Sequence, residues 1–599
     1  MSKILERDQI SSEFKWDIKS MYPDFDRWEA DFDQVSVLID QIKAQSGQVC
    51  SSAVNLLSSI ELSLKSSRLV SNLFTFAKMS QDQNTKDNSM QEYSARAEQI
   101  ATKLSEASSY IVPEILSADI DLIKGFISDY EPLNKYAQYL DDIIRRKPHT
   151  LSSSEEKILA MSGDISGLAG TTFGMMNSAD LKFPVVRDSK GNEIQLSHGN
   201  FVPTLESSDR ELRKDAFKAY YSVYEQFNNS FASLLYGEVK KNVFYSKVKN
   251  HKTARSAALF ENNVPETVYD QLIDAVNDNL SHMHKYMKIR KKALGVKELH
   301  MYDLYTPIIK DVDMKIKYGE AKDMVLNSLK PLGDKYVSVV ETSFSDGWID
   351  VYENIGKRSG AYSFGTYDSK PFILLNYHDT LDNAFTLTHE MGHSMHSYLT
   401  RKNQEYVYGN YSIFLAEVAS TTNEALLNHF LLENVKSKQE ELFILNHYLE
   451  QFRGTVYRQA MFAEFERDIH AMVERGEALT GDKLNNHYMS LNVKYYGEYM
   501  IVDEDIKYEW SRIPHFYYNF YVFQYATGFS AAVALSQSIL ENGADGLGKY
   551  LGFLESGSSE YPIEILKKAG ADMTTTAPVS NALKLFGELV NKMERLLDM

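Results

Sequence analysis

The chain of 599 residues has a single cysteine, Cys50. That excludes an intrachain disulfide framework and a cluster of thiolate metal ligands. No run approaches eighteen uninterrupted apolar residues, so no segment reads as a membrane-crossing helix. The opening residues, MSKILERDQISSEFKW, lack the apolar core that a secretory leader requires. Proline and glycine are scarce, at 13 and 30 residues, which excludes collagen-like and Pro/Gly-rich disordered chains. Basic residues are in deficit: 64 Lys and Arg against 82 Asp and Glu leave a net charge of −18. That surplus disfavours phosphate backbones and anionic membranes, so neither nucleic acid nor membrane is an expected partner. A soluble, acidic, cytoplasmic protein is expected, its oligomeric state open between monomer and homo-oligomer.

With 43% hydrophobic and 24% charged residues, the composition is globular, and the length suffices for more than one body. Residues 1 to about 180 read as helical. Trp28, Phe32, Val35, Leu38 and Ile42 recur on one side of 25–44, and further helices are expected within 53–76 and 89–112. Residues 181–204 change character: LKFPVV, RDSKGNE and IQLS read as strand, turn and strand. Ser208-Asp209-Arg210-Glu211 then has the pattern of a capping box opening a long helix. The main boundary is expected near 195–205, giving an N-terminal domain of residues 1–200 and a second of 201–599. Pro265-Glu266 opens a helix running toward Leu294. A second strand-rich stretch, 348–377, has candidates at 349–351, 361–364 and 372–375, broken by Gly356, Gly360 and Gly365. The fold class is mostly α with a small β-sheet.

That sheet directly precedes the most informative stretch, LDNAFTLTHEMGHSMHSY at 381–398. His389-Glu390-Met391-Gly392-His393 is the H-E-x-x-H pattern. On a helix, positions i and i+4 lie on one face, so two imidazoles can share one ion. Glu390 stands where a general base for the attacking water is wanted. Ala384, Leu387, Met391, Met395 and Tyr398 form a separate apolar stripe, and Thr380 is placed to cap the first turn. Zinc suits imidazole and carboxylate, and catalytic sites use three protein ligands. His396 shares the ligand face but lies about 10 Å along the axis from His389, too far for one ion; it reads as an outer or surface residue. Glu417, 24 residues after His393, opens a helical run and is the better third ligand. Glu424, on the same face, can orient a ligating histidine through its outward N–H. In SRIPHFYYNFYVFQY (511–525), a helical run after Pro514 would gather His515, Tyr518 and Tyr525 within one arc, where they could stabilise an oxyanion. With 38 tyrosines in the chain, an aromatic core stripe is the competing reading.

Taken together, GKRSGAYSFG, HEMGHSMH, AEVAST and PHFYYNFYVFQYATG resemble the oligoendopeptidase F branch of the thimet oligopeptidase family. The lead-in with Trp16 and Tyr22-Pro23 is similar to that branch's N-terminal domain. The resemblance implies a mostly α-helical, two-lobed body with a deep channel for short peptides. It implies one zinc ion per chain on His389, His393 and Glu417, with Glu390 as base. His515, Tyr518 and Tyr525 match the family's carbonyl-stabilising group, with Tyr517 and Tyr521 close by. Gly360 and Tyr362 would contact the substrate backbone. The expected activity is metalloendopeptidase. A peptidyl-dipeptidase on the same scaffold and a non-catalytic peptide binder are the alternatives.

Overall fold

In the computed structural model, which describes residues 4–309 and 314–598, helices carry nearly all of the regular structure. Helix Phe25–Ala44 shows why. Asp24 caps it by accepting Arg27 N–H, and its apolar stripe buries Trp28, Val35, Leu38, Ile39 and Ile42. Trp28, Val35, Ile39 and Ile42 pack with Leu73, Phe76, Ile100 and Leu104 from helices Ala53–Gln83 and Asn88–Ser108. Each such burial contributes about 1.5–3 kcal/mol. Trp28 adds a hydrogen bond from its indole to the Leu73 carbonyl at 3.1 Å, so its one polar atom is satisfied inside the core.

Strands are few and short. They are β1 (Val185–Arg187), β2 (Glu193–Gln195), β3 (Leu299–His300), β4 (Ile349–Asp350), β5 (Tyr362–Phe364), β6 (Phe372–Leu374) and β7 (Met500–Ile501). β1 and β2 form the expected hairpin, Val186 opposite Ile194, and β3 pairs with β7 in parallel. The third sheet has the order β4-β6-β5: β4 is parallel to β6, and β5 antiparallel to it with Ser363 opposite Ile373. β5 is therefore an edge strand.

The chain divides into two compact units. One consists of Met1–Thr150, Met314–Phe430 and Leu535–Gly570; the other of Leu151–Asp313, Leu431–Ala534 and Ala571–Met599. The expected cut near residue 200 falls inside the second unit. Residues 151–200 join that unit because the Leu168–Met175 helix packs on helix Asn228–Val248.

In the first unit an N-terminal arm underpins the β4-β6-β5 sheet. Phe14 O accepts from Val351 N at 3.0 Å, Gly347 O from Asp17 N at 2.7 Å, and Leu5 O from Ile355 N at 3.0 Å. Trp16 packs on Phe372, and Arg7 and Lys357 both pair with the buried Asp350, at 2.6 and 2.7 Å. Among the described residues no helix is long and apolar enough to cross a membrane.

Two local expectations need correction. The helix Arg210–Gln226 is capped by Asp209, not Ser208: the Asp209 carboxylate accepts Leu212 N–H. The run from Glu266 is two helices, Glu266–Asp278 and Leu280–Ala293, separated at Asn279.

Candidate metal centre and active site

The helix Leu381–Asn403 starts as expected: Thr380 Oγ1 accepts Asn383 N–H at 3.2 Å, and Asp382 lies in the first turn. Ala384, Leu387, Met391 and Met395 are all fully buried. Gly392 sets the next step. A Cβ built there would lie 2.5 Å from Ser420 Cα and 2.8 Å from Ala419 O. The absence of a side chain thus lets helix Ile413–Glu433 cross in backbone contact. Glu417, one turn before that crossing, is thereby brought to the two histidines.

The resulting cluster is tight. His389 Nε2 lies 3.2 Å from His393 Nε2 and 3.2 Å from Glu417 Oε2, and His393 Nε2 lies 3.5 Å from the same oxygen. Bonds of 2.0–2.1 Å in tetrahedral geometry put ligand atoms about 3.3–3.4 Å apart, so the three donor atoms have the spacing of a shared four-coordinate ion. His389 Nδ1 meets Glu424 Oε1 in a short hydrogen bond. With that nitrogen donating, the Nε2 lone pair faces the cluster. His393 is still partly accessible and Glu417 is 44% exposed, so the centre is open on one side.

The electrostatics agree with a cation site. Burial pushes the Glu417 carboxyl up, but the two imidazoles hold it far below the usual carboxylate range. Burial pushes His389 down, and Glu417 and Glu424 more than reverse this, so its pKa stands well above that of free imidazole. Three donors thus compete for positive charge at one point. Glu390 differs: it is 7% exposed, its Oε2 has no hydrogen-bond partner among the described residues, and burial raises its pKa against the pull of both histidines.

β5 runs beside this helix, tied to it by Ser363 Oγ to Ser394 Oγ at 2.8 Å. Gly360, with φ +86, lines a cavity of about 410 Å³ with Ala361, Asn376, His378 and Asn383. Tyr362 stands on β5, but its hydroxyl donates to Asp82 Oδ2 at 2.9 Å, so its polar end is committed to helix Ala53–Gln83. His396 is not a surface residue. It is fully buried, with its ring stacked on Tyr411 at 3.6 Å and neither nitrogen hydrogen-bonded among the described residues. Burial lowers its pKa well below the usual value, so it is a neutral core ring.

In the second unit the run after Pro514 is not one helix. A 3-10 turn, Pro514–Tyr517, leads into a bend at Asn519 and Phe520, and the helix Phe523–Asn542 follows. The bend residues have φ of 42° and 58°, a left-handed conformation that costs non-glycine residues about 1–3 kcal/mol each. The helical arc expected for these residues therefore does not exist, although the bend does gather several of them. His515 Nε2 lies 3.4 Å from the Tyr525 hydroxyl, and Tyr521 places its ring 6.3 Å from His515 and 5.4 Å from Tyr525. Tyr518, 58% exposed, stands 5.7 Å from His515. Tyr517 points elsewhere, stacked on Phe173 at 4.3 Å. Tyr521 is the member that helical spacing had left out. Burial lowers the pKa of His515, favouring its neutral form.

Comparison with known proteins identifies the family. Residues 204–585 match peptidase family M3, and residues 114–183 match the family described as oligopeptidase F. Oligopeptidase PepF of Bacillus subtilis is 47% identical over 596 residues, covering 100% of this chain and 89% of the relative. Group B oligopeptidase PepB of Streptococcus agalactiae is 44% identical, covering 99% and 98%. The crystal structure of oligoendopeptidase-F from Enterococcus faecium superposes with a TM-score of 0.74 at 40% identity, covering 96% of this chain and 99% of that one. A Chlamydophila abortus chain, solved as a candidate peptidase, gives 0.95 at 38%, covering 99% and 100%. With a metallopeptidase's donor set inside a match of this extent, the chain belongs to peptidase family M3, in its oligoendopeptidase F branch.

Proposed function

We propose that this chain is a zinc-dependent endopeptidase of the cytoplasm that cleaves internal bonds of short peptides. The observation that carries the reading is the juxtaposition of three donor atoms at tetrahedral spacing with the unpartnered, buried oxygen of Glu390. His389, His393 and Glu417 would hold one zinc ion, with Glu424 fixing the His389 tautomer. When bound, the ion supplies Lewis-acid polarisation of the carbonyl and acidifies water.

The remaining steps belong to the chain's own groups. The edge of β5 and Gly360 receive the peptide backbone as an added strand. Glu390, its basicity raised by burial, takes a proton from the attacking water and passes it to the leaving amine. His515 with Tyr518, Tyr521 and Tyr525 donates hydrogen bonds to the oxyanion that develops on the carbonyl oxygen. Tyr362 serves the site by its backbone on β5.

The test is digestion of a mixed library of short peptides, with and without chelator and with zinc restored, and identification of the products by mass. The expected result is chelator-sensitive cleavage at internal bonds that zinc restores. Release of C-terminal dipeptides alone would assign the chain to the exopeptidase class. Peptide capture without cleavage would make it a binder.

A further inference from the structure

One helix, Arg458–Glu474, grips both ends of the loop that bears the His515 group. Phe462 and Phe465 pack on Phe516, with ring centroids 5.5 and 5.1 Å apart. The next residue, Glu466, reaches the far side of the bend, where its Oε1 accepts Phe520 N–H at 2.7 Å. Glu466 is fully buried, no cation pairs with it among the described residues, and its Oε2 has no hydrogen-bond partner there. The titratable groups facing it are Tyr269, from helix Glu266–Asp278, and His470, one turn further along its own helix.

A buried carboxyl group with one unpartnered oxygen is costly, and leucine at this position would be cheaper for packing alone. What the carboxylate holds explains its presence. Asn519 and Phe520 are successive non-glycine residues in left-handed conformation, which persists only where the surroundings over-determine it. Two contacts do so here. The Phe520 ring is wedged between His470, at 4.4 Å, and Tyr269, at 5.7 Å. The Phe520 amide is fixed by Glu466. Rotating that bend would swing Tyr521 and the start of the Tyr525 helix away from His515.

We infer that Glu466 is a positioning residue: by holding the Phe520 amide it locks the left-handed bend that assembles His515, Tyr521 and Tyr525. The inference rests on the reading of those three as the carbonyl-stabilising group.

The test compares Glu466→Gln, whose amide oxygen can still accept from Phe520 N–H, with Glu466→Leu, which cannot. Kinetics on one short peptide and amide exchange at Phe520 are measured in the zinc-loaded full chain. Glu466→Gln should retain kcat within about twofold. Glu466→Leu should lower kcat roughly tenfold or more with KM nearly unchanged, since small misplacements of positioned groups cost that much. Its Phe520 amide should exchange at least about tenfold faster while the flanking helices keep their protection. If the leucine variant does not fold, Glu466→Met replaces it and is read the same way. Combined with Tyr525→Phe, the losses should be less than additive, because both act through one group. Full additivity, equal losses in the glutamine and leucine variants, or an unchanged kcat in Glu466→Leu would each overturn the inference. An unchanged kcat in Tyr525→Phe alone would instead overturn the reading on which it rests.

Discussion

The metal cluster and the aromatic group solve the same problem with different materials. His389, His393, Glu417 and Glu424 stand on two regular helices that cross at Gly392, so side-chain spacing follows from helix geometry and one close approach. His515, Tyr521 and Tyr525 stand on a 3-10 turn, a left-handed bend and the start of a helix, and their spacing follows from what is packed against the bend. The first arrangement is set by the chain's own periodicity. The second is borrowed from its neighbours. A substitution in the cluster should therefore act on the group it removes, whereas a substitution around the bend should act through position.

The sharpest break in that comparison is Glu390→Gln. Kinetics should show a loss of roughly 10²- to 10⁴-fold in kcat with zinc content by elemental analysis unchanged; near-normal turnover would remove Glu390 from its role. Next is Glu424→Gln, which should weaken zinc binding by about 10- to 100-fold in a competitive chelator titration. Unchanged affinity would mean that the His389 orientation is set by packing, making the two regions more alike than described. Tyr525→Phe should lower kcat by roughly tenfold with little change in KM, as expected for one donor among several that act in the transition state. A rise in KM alone would demote it to substrate binding.

The smallest effect is thermal. Burial raises the Glu466 pKa from 4.5 to about 8. Between those values the folded chain keeps a proton that the unfolded chain has released, so stability falls as pH rises through about 4.5 to 8 and levels off above. The contribution is on the order of a few kcal/mol, which in a chain of this size moves Tm by only a few degrees. Calorimetry across that range should show the decline, and Glu466→Gln should flatten it. An identical pH profile in the variant would mean that Glu466 is not the proton holder.

The same contrast governs what could be read in advance. The Leu381–Asn403 helix, its Thr380 cap and its buried stripe were legible because period and cap are local properties. The β1–β2 hairpin and the β4, β5 and β6 segments were legible for the same reason, the last three with ends shifted by a residue and the hairpin strands by more. The Asn519–Phe520 bend was not, because an aromatic-rich run has helical spacing whether or not a distant carboxylate holds its amide. The burial of His396 depends on Tyr411 and Phe553, and the Tyr362 hydroxyl goes to Asp82, 280 residues away. None of the three lies within helical spacing of the residue it determines, and Phe553 and Asp82 are more than 150 residues away.

The interleaving of the two units bears on how the chain comes to be folded as it is made. Each unit needs a segment from beyond residue 534, Leu535–Gly570 for one and Ala571–Met599 for the other. Within the first, Arg7 must wait for Asp350, 343 residues later. At ribosomal speeds of about 5–20 residues per second, that interval is on the order of 20–70 s. The early helices can form in that time, but neither unit can close behind them. Both units should thus reach their final form only after these late segments have emerged, with the chain exposed to chaperones and proteases until then.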